Sequence, residues 1–190
     1  MAPRNTDTKQ EILRIGMDLI KRYGYNAFSY ADISKKLDVK NAAVHYHFRG
    51  KEDLLGGILD NYIKEYVQMG KRLQASELSA LQKLDMFIER YSVLVDMSCI
   101  CIIGSVASDY NTLPESVKAK VTALVQLVLA LVEKTLQEGK KSGELQFTES
   151  ARTQALLIMT NLAAGVQLAR ISGKKDYEMI RKALLRQVKS

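Results

Sequence analysis

The sequence predicts an all-α protein, because helical spacing runs through almost the whole chain. Apolar residues recur at intervals of three and four, and no segment shows the strict alternation of a half-buried strand. Only 2 prolines are present, and the β-branched residues are scattered among strong helix formers. At 47% hydrophobic and 26% charged residues, the chain has the composition of a protein with a buried core.

Start and stop signals define the N-terminal helices. Thr8 and Glu11 resemble a capping box for a first helix over residues 7–23, which Gly24 ends. Ser29, followed by an acidic residue three positions later, predicts the start of a second helix that runs to residue 37. A third short helix is expected over residues 41–48. A long fourth helix should begin at residue 51, with an apolar face formed by Leu55, Leu59, Tyr62, Tyr66 and Met69.

The remaining two thirds of the chain continue in the same way. Pro114 suits the first position of a helix, which should end before Gly139. Gly173 separates the last two predicted helices. The C-terminal helical segments are expected over residues 81–97, 102–110, 114–138, 148–171 and 176–188.

Positive charge is concentrated near the N-terminus. The whole chain carries a formal net charge of +7. Residues 1–51 contain ten Lys or Arg against five Asp or Glu, so most of the excess lies there. A basic protein of this size can bind nucleic acid or a membrane surface, and the clustering on a predicted short-helix region favours nucleic acid.

Residues 29–48 have the organisation of a helix-turn-helix. Two short helices are joined by a compact turn, and the second helix is slim enough to enter a major groove. Ala42 and Ala43 allow a close approach to base edges. The polar side chains able to bond to bases or phosphates there are Lys40, Asn41, His45 and Tyr46.

The same region resembles the signature of TetR-family regulators. The matching pairs and runs are Ile12-Leu13, Leu19-Ile20, Gly24-Tyr25, Ile33-Ser34, Leu37-Asp38-Val39, Ala42 through Phe48 and Lys51 through Leu55. Further along, Cys101, Gly104 and Leu113-Pro114 resemble one subgroup of that family. Two positions depart from the family pattern, which usually has Gly where this chain has Asp38 and Tyr where it has His45. Asp tolerates a left-handed turn, and a histidine at a DNA contact makes pH sensitivity conceivable.

The resemblance implies a head and a body. The helix-turn-helix head would span residues 6–55, with its motif at 29–48, and a ligand-binding and dimerisation body would span 56–190. The last two helices would form a homodimer, and a dimer would bind a palindromic double-stranded DNA operator. The residues that the resemblance implies at DNA are Ser29, Tyr30, Lys40, Asn41, Ala42, Ala43, His45, Tyr46, His47 and Lys51.

Aromatic and methionine residues of the body are candidates for lining a ligand cavity, although such a stripe is by default core. Asn161 and Gln167 are polar positions on an apolar helix that could anchor a ligand or be satisfied at a subunit interface. An apolar or aromatic small-molecule effector suits the set best. The ligand-binding candidates are Tyr62, Tyr66, Met69, Phe87, Tyr91, Met97, Tyr110 and Asn161.

The predicted function is that of a transcriptional repressor released from its operator by a small molecule. Two alternatives remain open at this stage. Cys99 and Cys101 could sense redox state or electrophiles, although free cysteines are usually inert packing residues. A helical adaptor without specific DNA binding would also fit the helix pattern.

Other classes of function are not expected. The chain has no glycine-rich phosphate loop, nucleophile elbow or metal motif, so we predict neither an enzyme nor a cofactor. His45 and His47, the only histidines, are two residues apart and cannot form a metal pair on one helix face. Residues 121–132 are too short for the roughly 20 residues of a membrane span, and the N-terminus has no apolar signal segment. Together with the sparse cysteines, these features predict a cytoplasmic protein with no membrane partner.

Overall fold

The structure is a computed structural model that describes residues 5–189. The prediction of an all-α fold is confirmed over these residues. The N-terminal residues 1–4, where we expected no signal segment, lie outside the described residues. The helices are α1 (Asn5–Tyr23), α2 (Tyr30–Leu37), α3 (Asn41–His47), α4 (Lys51–Ala75), α5 (Ala80–Asp96), α6 (Ile102–Ala107), α7 (Glu115–Ser142), α8 (Ala151–Ser172) and α9 (Lys174–Arg186), with a 3-10 turn at Tyr110–Thr112.

Two of the expected helix boundaries are wrong. α1 begins before Thr8, so the capping box with Glu11 is not formed, and the Glu11 carboxylate instead accepts hydrogen bonds from Arg14 at 2.7 and 2.9 Å. α7 continues past Gly139 and ends at Ser142, next to Gly143 with a φ of +77°. The other boundaries agree with the expectation to within about three residues, as helix ends often do.

Gly139 lies inside α7. Its neighbours leave no room for a side chain, which explains why this position holds a glycine. A Cβ built there would clash with the Leu145 side chain and would be 2.8 Å from Ala80 Cβ. The glycine is therefore a packing residue and not a helix stop. A sequence rule that takes glycine as a terminator cannot distinguish these two roles.

We predict that Gly139→Ala lowers the free energy of unfolding by about 1–2 kcal/mol, since overpacking outweighs the gain in helix propensity. Gly70→Ala is the matched control, because a Cβ there meets only Leu131 Cδ1 at 3.6 Å, an ordinary contact. That variant should gain up to about 1 kcal/mol. Urea unfolding followed by circular dichroism measures both, and equal stability changes would contradict the packing role.

The described chain forms two compact units. The first unit contains the N-terminal residues through Lys64 together with Ile102–Leu124, and the second contains Glu65–Cys101 and the residues from Val125 onward. The boundaries fall within α4 and within α7. The limits of the predicted head and body, 6–55 and 56–190, differ from these units and stay a prediction.

The first unit packs α1, α2, α3 and the start of α4 around one core, and α6 packs against α1. The apolar faces expected from sequence supply this core, which includes Ile12, Ile15, Leu19, Ile33, Val44, Phe48, Leu55 and Leu59.

The second unit is built on α5, α8 and α9, which all pack against one another. Glu144 caps the start of α5, because its carboxylate accepts hydrogen bonds from the backbone N–H groups of Ala80 and Leu81 at 2.9 and 3.1 Å. A side-chain hydrogen bond with Ser79, helped by these two backbone bonds, holds the pKa of Glu144 below its usual range. A short antiparallel bridge between Leu145 and Lys189 fixes the C-terminal residues.

Candidate functional site

The α2–α3 segment has the geometry of a helix-turn-helix. The Asp32 carboxylate accepts hydrogen bonds from both the backbone N–H and the hydroxyl of Ser29, at 2.7 and 2.8 Å, and so fixes the start of α2. Asp38 ends that helix in the left-handed conformation, with φ 54° and ψ 46°. The Val39 N–H then bonds to the Ser34 carbonyl at 3.0 Å. Asp38 therefore makes the turn for which a glycine would be more usual, as expected from sequence.

Helix α3 is anchored on one side and open on the other. Val44 is fully buried, whereas Ala42 and Tyr46, four residues apart, lie on the opposite side, and Tyr46 is 76% exposed. The Ser34 hydroxyl of α2 donates to the side-chain oxygen of Asn41, which fixes the start of α3 against α2. Among the residues expected at DNA, Ala43 and His47 are half-buried, and those exposed are Ser29, Lys40, Asn41, Ala42, His45 and Tyr46.

Two residues expected to contact phosphate are engaged inside the first unit. Tyr30 is buried, and its hydroxyl donates to the carbonyl of Gly50. The Lys51 ammonium donates to the Phe28 carbonyl at 2.7 Å and lies 4.4 and 5.2 Å from the ring centres of Phe28 and Tyr25. Burial lowers the pKa of Lys51 and raises that of Tyr25 to about 12. Tyr30 and Lys51 thus connect the residues around the start of α2 to the start of α4. Their contact with phosphate stays a prediction.

We predict that Lys51→Met lowers the free energy of unfolding by about 1–2 kcal/mol, because the Phe28 carbonyl loses its charged donor. Lys40→Met is the matched control, since Lys40 is exposed at the start of α3. It should change stability by no more than about 0.5 kcal/mol.

If Lys40 contacts one phosphate, its loss should lower the slope of log affinity against log salt by about 0.9. Thermal unfolding and salt titrations of DNA binding measure the two effects, and a stable Lys51→Met protein would contradict the assignment.

The two histidines occupy different environments at α3. His45 is exposed, its ring lies 4.7 Å from that of Tyr30, and its Nδ1 is 3.4 Å from the Arg49 carbonyl oxygen. His47 is half-buried with its ring edge-on to Tyr46 at 5.1 Å. The two histidines thus differ in exposure, and a DNA contact by either of them stays a prediction.

The segment Ile102–Leu124 joins the first unit through polar contacts that sequence reasoning missed. The Asn26 amide, before α2, donates to the Asp109 carboxylate, after α6, at 2.8 Å. On α7, the Lys120 ammonium lies 2.7 Å from the Asp60 carboxylate of α4. These partners are 83 and 60 residues apart. No local pattern could have identified them.

The second unit contains a cavity of about 350 Å³ between the end of α4 and α5. Two of the residues expected to bind ligand, Met69 and Phe87, line it. Sequence reasoning missed the other lining residues, including two arginines, because charged positions on a helix are usually solvated. These residues are Arg72, Leu73, Ser76, Leu78, Met86 and Arg90.

Two further expected residues, Tyr66 and Tyr91, lie beside the cavity residues Arg90 and Phe87. The Arg90 guanidinium lies 5.1 Å from the ring centre of Tyr66 and bonds to the Glu65 carboxylate at 2.7 Å. Tyr91 is buried with its ring 5.6 Å from that of Phe87. Burial raises the pKa of both tyrosines, so each stays a neutral hydroxyl at physiological pH.

The remaining ligand candidates lie elsewhere. Tyr62 and Tyr110 are half-buried in the first unit, and Met97 is exposed at the end of α5. Asn161 and Gln167 are exposed on α8, where the Asn161 amide donates to a backbone carbonyl of its own helix at 2.7 Å. Cavity lining is therefore supported only for Met69 and Phe87 among the expected set, and the other assignments stay predictions.

Neither cysteine forms a disulfide within the described residues. Cys99 is fully buried, with its thiol 3.5 Å from the Met97 carbonyl, and Cys101 is half-buried. A sensing role for either cysteine stays a prediction.

An apolar stripe runs along the exposed side of α8. Its members follow each other at intervals of four, three, four and three residues, which is the spacing of one helix face. By length and composition alone α8 is apolar enough to cross a membrane, and 33% of its most apolar 18-residue window is buried. Ile171 is 88% exposed, and Met179 of α9 is exposed as well. The stripe consists of Leu157, Asn161, Ala164, Leu168 and Ile171.

Family comparisons match both parts of the chain. Residues 12–58 match the bacterial regulatory proteins of the tetR family. Residues 80–184, more than half of the chain, match the tetracyclin repressor-like C-terminal domain. The chain belongs to the TetR family. This TetR-family protein is thus a DNA-binding transcriptional regulator and not an enzyme, as expected from sequence.

Solved structures agree with the family. A TetR-family transcriptional regulator from Agrobacterium tumefaciens is 27% identical with a TM-score of 0.90, over 98% of this chain and 100% of that one. A TetR transcriptional regulator from Legionella pneumophila is 28% identical with a TM-score of 0.84, over 100% of both chains. FadR from Bacillus subtilis, solved with stearoyl-CoA, shares the fold at 18% identity with a TM-score of 0.69, over 93% of this chain and 95% of that one. A comparison with curated protein sequences found no match.

Proposed function

We propose that this TetR-family regulator is a cytoplasmic, homodimeric repressor that a small molecule releases from a palindromic operator. The observation that carries the proposal is the open side of α3. Ala42 and Tyr46 face outward there, while Val44 and Asn41 fix the helix against the rest of the head. A small residue in the first turn of an exposed short helix permits close approach to base edges.

The proposed DNA contacts fall into two groups, according to whether the side chain already donates a hydrogen bond within the protein. His45, Tyr46 and Lys40 have exposed side chains that can reach bases or phosphates. Ser29 and Tyr30 already donate their hydroxyl hydrogens within the protein. We therefore assign base recognition mainly to α3, and a positioning role to the start of α2.

The proposed homodimer forms through α8 and α9. The exposed stripe of α8 gives the second unit an apolar face that water solvates poorly, and a second copy packed along it would bury that face. Asn161 lies within the stripe, and a polar residue at such a position can fix the register of two helices. Two heads in one dimer would reach successive major grooves at a spacing of roughly 34–36 Å.

The proposed effector site is the cavity of the second unit, and α4 is the proposed route to the head. This helix carries Lys51 at its first turn and Met69 near its end, so a shift at one end is passed along a continuous element. Asn26, bonded to Asp109, joins the head to the α6–α7 segment. FadR was solved with stearoyl-CoA, whereas the apolar and aromatic lining of this cavity supports an apolar or aromatic effector here.

Selection of bound duplexes from a random DNA pool, at near-physiological salt, tests the proposal. We expect one palindrome to be enriched, with half-sites one or two helical turns apart. Enrichment of single half-sites would contradict the dimer. Binding that is sequence-blind and lost with rising salt would contradict specific repression and favour the adaptor alternative.

A further inference from the structure

The cavity between α4 and α5 combines an apolar wall with positive charge at its boundary. Its volume of about 350 Å³ is near the lower end of the roughly 300–1,000 Å³ that is usual for small-molecule sites. The apolar wall consists of Met69, Leu73, Leu78, Met86 and Phe87.

The polar groups of the cavity are not equally engaged. The Ser76 hydroxyl already donates to the Leu73 carbonyl at 2.8 Å. Arg90 gives one terminal N–H to Glu65 and also hydrogen-bonds with the Tyr66 side chain, but its Nε is buried and has no hydrogen-bond partner among the described residues. Arg72 is exposed, and no carboxylate of the described chain forms an ion pair with it. A buried guanidinium N–H without an acceptor is costly, and an anionic oxygen is the acceptor that compensates best.

The local charges also select the ligand. Arg72 and Arg90 contribute two positive charges, and Glu65, beside Arg90, contributes one negative charge. Among these three residues one unit of positive charge is left, and both cationic groups line the cavity itself. A ligand with a single negative charge balances it, whereas a cation would be repelled by both guanidinium groups.

We propose that this cavity binds an amphipathic monoanion, with a carboxylate headgroup held by Arg72 and Arg90 and an acyl or aryl body against the apolar wall. The inference rests on the proposed function, because it names the chemical class of the proposed effector. Arg90 holds the headgroup through its unpartnered Nε–H, while its guanidinium lies 5.1 Å from the ring centre of Tyr66. Met69 and Met86 are flexible apolar side chains that adapt to the ligand body.

Calorimetric titration of the full-length protein with three probes of one chain length tests the charge. The probes are octanoate, 1-octanol and octylamine. We expect octanoate to bind at least about tenfold more tightly than 1-octanol, because a charge-assisted hydrogen bond is lost in the alcohol, and octylamine to bind most weakly. Equal binding of octanoate and 1-octanol, or no octanoate binding up to millimolar concentration, overturns the proposal.

Single-residue variants test which side chains bind the carboxylate of octanoate. Arg72→Gln and Arg90→Gln should each reduce octanoate affinity toward that of 1-octanol and leave 1-octanol binding unchanged. Lys71→Gln is the matched control, since it removes the same charge from the neighbouring exposed position of α4. Glu65→Gln removes the competing carboxylate and should tighten octanoate binding, a gain that misfolding cannot produce. If Arg72→Gln and Lys71→Gln behave alike, or Glu65→Gln does not bind octanoate more tightly, the headgroup assignment is wrong.

Operator binding is measured separately, by fluorescence anisotropy with a selected duplex. Octanoate that binds but leaves the operator complex intact supports the ligand class and contradicts release by this effector class. Operator release by an uncharged or cationic molecule bound in the same cavity supports the proposed function and overturns the inference. The two failures are thus distinguishable.

Discussion

Ala42→Glu should remove specific operator binding, with a loss of affinity of at least about a hundredfold. Ala42 is exposed on α3, opposite the buried Val44 and one turn from Tyr46. A carboxylate at this position would approach the acceptor edges and phosphates of the major groove. Two effects lower the affinity there, since the helix can no longer approach the bases closely and the carboxylate is repelled by the phosphates. A good base contact alone contributes about 1–3 kcal/mol of discrimination.

The control for this prediction is Ala75→Glu, which makes the same change in side chain and net charge at the exposed end of α4. It should alter affinity only slightly, through the overall charge. Anisotropy titrations at fixed salt measure both variants, and circular dichroism verifies that both are folded. Wild-type affinity for Ala42→Glu would mean that α3 does not enter the groove, and the assignment of the DNA-binding surface would have to be abandoned.

Leu168→Glu should convert the proposed dimer to a monomer at micromolar concentration. Leu168 is 47% exposed in the apolar stripe of α8, between Ala164 and Ile171. A buried, unpaired carboxylate at an interface costs several kcal/mol, which is enough for a dissociation constant more than about a hundredfold higher. Because the side chain is exposed in the single chain, the fold itself should tolerate the change.

Sedimentation velocity measures this result directly. Val93→Glu is the matched control, because Val93 is a comparably exposed apolar residue, 49%, on α5 and outside the stripe. It should leave the dimer intact. The Leu168→Glu monomer should also lose preference for the palindrome while keeping weak, salt-sensitive binding, since each head then acts alone. A dimeric Leu168→Glu protein would show that the interface lies elsewhere.

The sequence and the structure agree best where the signals are local. The Ser29 and Asp32 pair starts α2, Asp38 forms the left-handed turn, and Val44 is the buried side of α3, all as expected. Each of these features depends on side chains within about four residues, where spacing and hydrogen-bonding capacity decide the outcome. The Thr8 and Glu11 prediction failed because α1 begins at Asn5, so Thr8 lies inside the helix and not at its cap.

The sequence by itself determined the helical class, most helix positions and the outward residues of α3, since the spacing of apolar residues specifies which side of a helix is buried. It did not determine what each buried side packs against. Only the tertiary structure decided that Lys51 binds the Phe28 carbonyl and that Ile102–Leu124 joins the N-terminal helices. It also brought Arg72 and Arg90 to one cavity. These contacts join residues far apart in the chain, and their partners are selected by shape and charge in three dimensions, which no local period encodes.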